Sequence, residues 1–148
     1  LVWRGNPDYL RDDIRSIELK DFLYYLDHSK IQIISLQKQK TPNDQKALKN
    51  NKKIIDFMDD VETFSDTAGI IANLDMVISV DTSVAHLSGA MGQHTWTLLP
   101  FSPDWRWLMY RDDTPWYPSM RLFRQKSVGN WIPVLESIKE SLIKVVKK

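Results

Sequence analysis

Met76-Val77-Ile78-Ser79-Val80 is apolar at almost every position, and Asp81-Thr82-Ser83 follows it at once. A strand exposed on one face alternates apolar and polar side chains. A run without alternation reads as a strand covered on both faces, as in a parallel sheet. Parallel strands need crossover connections, usually helical, so the rest of the chain is expected to alternate strand with helix.

Leu1-Val2-Trp3 reads as the end of a buried strand whose beginning would precede residue 1, which predicts a piece of a longer protein. Residues 4–16 are polar and carry glycine and proline, a pattern for a loop rather than a helix. Leu19, Phe22, Leu23 and Leu26 form one apolar stripe at helical spacing. Ile31, Ile33, Ile34 and Leu36 make a short β-branched strand, residues 43–51 a polar surface helix, and residues 54–57 another strand. Asp66 is predicted to cap a helix that carries Ile70, Ile71 and Leu74. Residues 82–91 have helical character and stop at Gly92, a residue suited to the left-handed position after a helix. Residues 95–99 form a strand ended by Pro100, residues 101–118 an aromatic and proline-rich loop, and residues 120–123 a last strand. The final helix, residues 131–147, has a stripe of Trp131, Leu135, Ile138, Leu142 and Val145 or Val146, and its lysines complement the helix dipole. The predicted fold is α/β: an open, doubly wound, Rossmann-like parallel sheet in a single domain of 148 residues.

In that class ligands bind at the carboxyl ends of the strands, which directs attention to the residues after Trp3, Leu36, Phe57, Val80 and Leu99. Asp81-Thr82-Ser83-Val84-Ala85-His86 places two hydroxyls and unpaired first-turn amides at a helix start. The helix dipole there favours an anion. His86 lies one turn beyond Thr82 and Ser83 and can donate to a phosphate oxygen. The alternative is that Asp81 and Thr82 only cap the helix and His86 only packs. The loop after the first strand offers Arg4, Gly5, Asn6, Arg11 and Arg15, and arginine forms forked hydrogen bonds with phosphate. Gln37 and Asp66-Thr67 stand where a base or ribose would lie, or serve as turn and cap.

Other chemistries find less in the sequence. GxGxxG and GxxxxGK[ST] are both missing, against NAD and P-loop chemistry. Asp12-Asp13 and Asp112-Asp113 read as surface turns with no His or Cys beside them, so no metal is expected. His28 and His94 read as structural. Trp105, Arg106 and Trp107 stack on a sugar or base, or pin their loop to the core. Twenty basic against nineteen acidic residues argue against a broad grip on nucleic acid. The sequence has no cysteine, which fits a reducing compartment, and no apolar run approaches the ~18–20 residues that span a bilayer. A cytoplasmic protein is expected, with peripheral attachment to the inner membrane left open.

DTSVAHLSGAMG after an apolar strand, FSDTAGIIANLDMVISVDTS leading into it, and LVWRGNP at the start together resemble the C-terminal domain of family 9 (heptosyltransferase-like) glycosyltransferases. The closest likeness is to bacterial proteins that fuse such a domain to tetratricopeptide repeats. PDWRWLMYRDDTPWYPSMRLFRQ and RSIELKDF extend the resemblance over nearly the whole chain. It implies the C-terminal half of a GT-B fold, binding a nucleoside-diphosphate sugar for an inverting, metal-independent transferase. The acceptor domain and catalytic base would lie in the N-terminal half. By position, Asp81, Thr82, Ser83 and His86 would contact the diphosphate. Arg4, Asn6 and Arg15 would neutralise it as the sugar leaves, and residues 62–67 with Gln37 would flank the base and ribose. Implied partners are the chain's own N-terminal domain or tetratricopeptide repeats and an acceptor protein or glycan. The family usually carries glycine after Asp-Thr, where this chain has Ser83. A nucleotide-sugar epimerase of similar fold and a non-catalytic nucleotide-sugar-binding or interaction module are the alternatives.

Overall fold

The computed structural model describes residues 1–147. Its strands are β1 (Ile33–Ile34), β2 (Ile54–Ile55), β3 (Val77–Val80), β4 (Thr95–Leu99) and β5 (Met120–Arg124). Its helices are α1 (Asp12–Arg15), α2 (Leu19–Tyr25), α3 (Pro42–Asn50), α4 (Phe64–Ile71), α5 (Ser83–Ala90) and α6 (Ile132–Val146). Pairing is parallel throughout: β1 with β2, and β3 with β4 and β4 with β5.

Residues 1–3 join these two groups. The Leu1 amine donates to Ile34 O at 2.7 Å, and Leu36 N–H donates back to Leu1 O at 2.9 Å. On the other side Val2 N–H donates to Ile78 O at 2.9 Å and Val80 N–H to Val2 O at 3.1 Å, so Val2 bridges Ser79 in parallel. The lateral order is therefore β2, β1, residues 1–3, β3, β4, β5. β3 lies in the interior and is buried at all its positions, Ser79 included, as its nearly unbroken apolar run predicted.

Alternate residues of the strands face two layers of helix. Ile78, Val80, Trp96, Leu98 and Phe123 pack with Leu19, Phe22 and Leu26 of the α2 region and with Leu135, Ile138 and Leu142 of α6. On the opposite face Val2, Leu36 and Val77 meet Ile71 of α4 and Val84 of α5, while Leu99, Met120 and Leu122 enclose Ala85 and Trp107. The open, doubly wound α/β sheet is thus the architecture observed. α5 ends before Gly92, whose φ of +72° is the left-handed conformation expected there. No helix among the described residues is long and apolar enough to cross a membrane.

Three local readings are corrected. Residues 4–16 contain the short helix α1, because Asp12, expected on a surface turn, is 5% exposed and binds Arg15 and Ser16. Asp66 is not the N-cap of α4. Thr63 is, and Asp66, the third residue of the helix, is its partner in a reciprocal capping box and accepts the Thr63 N–H at 2.8 Å. α3 is not wholly a surface helix, since Asp44 is 1% exposed.

Candidate functional site

The chain leaves residues 1–3 toward β1 on one side of the sheet and leaves β3 toward β4 on the other. A crevice opens where such paths diverge, outside the carboxyl ends of those strands. α5 begins in it. Thr82 is the N-cap in extended conformation, but its hydroxyl lies 2.9 Å from Ser79 Oγ and makes no capping bond. Ala85 N–H and His86 N–H both donate to Thr82 O, at 3.1 and 3.4 Å. The amides of Ser83 and Val84 have no acceptor among the described residues. An anion placed there meets two free donors at the positive end of the helix dipole.

Two clefts meet over this turn. One, of about 430 Å³, has Tyr9, Arg11 and Arg15 on one wall, Pro100, Ser102, Asp104 and Arg106 on the other, and Asp81 and His86 between them. The second, of about 320 Å³, is lined by Arg4, Asn6, Gln37 and Lys38. Arg15, Thr82 and Ser83 border both. A cavity of about 560 Å³ lined by Leu1, Ile31, Leu74, Met76 and Leu142 is larger and more apolar, but it lies at the amino ends of the strands. It lacks the convergent donors of the carboxyl-end crevice, where sheets of this type bind ligands.

Arg15 is the best placed of the arginines named from the sequence. Its Nε binds Asp12 Oδ1 at 2.9 Å, its Nη1 donates to Asp81 O at 3.1 Å, and its guanidinium stacks 4.5 Å from the Tyr9 ring. Gly5 makes this possible. A Cβ there would stand 2.1 Å from Asp12 Oδ1 and 2.4 Å from Arg15 Nη2, so the pair lies directly on the glycine backbone. Ser16 completes the arrangement, accepting from Gly5 N–H and donating to Asp12 Oδ2.

Arg4 borders the smaller cleft, but its guanidinium is engaged elsewhere: Nη2 is 3.3 Å from Glu18 and Nε 3.3 Å from the buried Asp44 carboxylate. Gln37 is also committed. Its Oε1 accepts from Trp3 and Arg4 N–H, and its Nε2 donates to Arg4 O and Gln39 O. Asn6 lines the cleft with Oδ1 held by Asp8 N–H. Asp66 and Thr67 border neither cleft; Asp66 serves the capping box, and Thr67 is buried and donates to Thr63 O. The structure therefore brings together Arg15, Asp81, Thr82, Ser83 and His86, with Arg4, Asn6 and Gln37 behind them.

His86 is fixed on three sides. Its Nδ1 lies 3.0 Å from Tyr117 Oη, its ring stacks on Trp107 at 4.9 Å and 20°, and its Nε2 is 3.9 Å from Asp81 Oδ1. Burial holds its pKa below the ordinary histidine value, Asp81 pulls it back up, and the smaller influences of Arg106 and Asp104 oppose each other. Tyr117 and Asp104 were not apparent from sequence motifs. The aromatic loop splits its roles, with Trp107 fully buried while Trp105 is 72% exposed. Among the described residues no group of three or more His, Asp or Glu side chains converges.

No family model, curated protein or solved structure matches the chain.

Proposed function

We propose that this chain is the donor-binding half of an inverting, metal-independent glycosyltransferase, with the diphosphate of a nucleoside-diphosphate sugar seated over the first turn of α5. The observation that carries this reading is the pair of free amides at Ser83 and Val84, set beside Arg15 where two clefts meet. The ordered motifs that resemble family 9 transferases support it. In such a reaction the bond from the sugar carbon to the diphosphate oxygen breaks. The departing oxygen keeps the electron pair, and an acceptor hydroxyl, deprotonated by a base on the other half, forms the new bond. Residues of this chain would receive the developing charge: the two amides, Arg15, and His86, in a partly enclosed crevice where fixed dipoles act strongly. The chain's own N-terminal half or tetratricopeptide repeats would supply the acceptor groove, in the cytoplasm or at the inner membrane.

A non-catalytic nucleotide-sugar module is the second reading. It is favoured by Arg4, whose engagement with Asp44 and Glu18 takes one expected cation away from the leaving group. Titration of the chain with UDP, GDP and ADP, followed by amide NMR shifts, tests what both readings share. Shifts centred on Ser83, Val84 and His86 are expected, and unmoved amides at saturating diphosphate would remove the donor site. Transfer to acceptor by the full-length protein then separates the two.

A further inference from the structure

His86 borders the larger cleft, yet three groups from outside α5 determine its orientation. Gly89 lies one helical turn beyond it and leaves a slot: a Cβ there would stand 2.6 Å from Tyr117 Cγ and 2.9 Å from Met120 Cε. The Tyr117 ring fills that slot and brings its hydroxyl to His86 Nδ1 at 3.0 Å. Trp107, fully buried, closes one face of the imidazole. The free nitrogen, Nε2, faces the Asp81 carboxylate at 3.9 Å.

A neutral imidazole has one N–H, and its neighbours decide which nitrogen carries it. A carboxylate only accepts, whereas a phenol hydroxyl donates or accepts. Asp81, at 3.9 Å, is beyond hydrogen-bond distance, so its charge favours a proton on Nε2 without engaging it, and Tyr117 then donates to Nδ1. We infer that Tyr117, supported by Trp107 and seated in the slot left by Gly89, is a positioning residue that holds His86 as an Nε2–H donor for the diphosphate. The inference rests on the reading of α5 as the diphosphate seat. Without Tyr117 the ring would populate the other tautomer and present a lone pair to the anion.

The test uses the whole chain labelled with 15N-histidine. In the free protein the imidazole nitrogen shifts of His86 should report a single Nε2–H tautomer, and Tyr117→Phe, which keeps the ring over Gly89, should give a mixture. Pyrophosphate, which carries no base, is the binding probe. Its affinity should fall about three- to tenfold in Tyr117→Phe, the loss of roughly one hydrogen bond. In His86→Gln the amide nitrogen takes the place of Nε2 and has no tautomer to set, so adding Tyr117→Phe should change affinity less than about twofold on the same scale. A wild-type Nδ1–H tautomer, or a Tyr117→Phe spectrum like the wild type's, overturns the inference whether or not pyrophosphate binds. A loss that persists in the His86→Gln background also overturns it, because Tyr117 would then touch the anion itself. If pyrophosphate fails to bind while the tautomer behaves as stated, the positioning contact stands and the diphosphate seat falls.

Discussion

Trp3 Nε1 donates to Asp44 Oδ1 at 2.9 Å, joining the strand at residues 1–3 to the first turn of α3. The other oxygen of the same buried carboxylate accepts from Thr41 N–H at 2.8 Å and Thr41 Oγ1 at 2.7 Å, and lies 3.3 Å from Arg4 Nε. One aspartate thereby caps a helix, satisfies a buried indole and holds the arginine that the sequence suggested for phosphate.

Arg4→Ala is therefore expected to cost stability rather than affinity. Removing the counter-charge of a buried carboxylate that keeps its other hydrogen bonds should destabilise the fold by about 2–3 kcal/mol, while pyrophosphate affinity changes by less than about twofold. Urea midpoints and isothermal titration decide. A stable Arg4→Ala protein that has lost pyrophosphate binding would return Arg4 to the site.

Arg15→Ala should behave in the opposite way for ligand. UDP binding should weaken by ~1.5–3 kcal/mol, about ten- to a hundredfold, with a much smaller loss for uridine, which has no charge to meet. Equal losses for the two ligands would make Arg15 a packing residue.

Gly5→Ala tests the close approach of Arg15 to the backbone. The new methyl group would press on Asp12 Oδ1 and Arg15 Nη2 and drive the pair away, at a cost of about 1–3 kcal/mol in stability. UDP affinity should drop nearly as far as in Arg15→Ala. The double variant should be no weaker than Arg15→Ala alone, since both changes remove the same contact. Additive losses would mean that Gly5 acts by another route.

His86 gives the fold a dependence on acid. Its pKa is lowered in the folded chain, first by burial, with Asp81 and Asp104 raising it and Arg106 lowering it. Folding therefore releases a proton that the unfolded chain holds below its ordinary pKa of about 6.5. The associated stability is full above about 6.5 and declines as pH falls through the folded value. Urea midpoints at pH 7.5 and 5 should show a smaller acid loss for His86→Gln than for the wild type. An identical loss in both proteins would exclude His86 as its source.

The strands and the long helices were legible because burial writes itself locally: a covered strand is apolar at most positions, and a half-covered helix repeats every three or four residues. The turn from β3 into α5 was legible for the same reason, as strand, N-cap and helix are contiguous. What failed was set by particular side-chain contacts that no periodic pattern records. Asp44 sits in a polar stretch, and its burial is explained by Trp3 and Arg4, far from it in sequence. The helix α1 is held by a pair lying on Gly5, which polarity alone reads as loop. Tyr117 meets His86 across 31 positions, and only the gap at Gly89 hints at a ring lying on α5. Thr63 and Asp66 show a subtler limit, since the two ends of a capping box look alike until the first helical residue is known.

Residues 1–3 lace two panels of sheet together through four hydrogen bonds, two on each side. The carbonyl that holds Val80 belongs to Val2, and Val80 is the last residue before Asp81 and the free amides. Tension along this lace would bear on the Val80 amide, two residues before the N-cap of α5.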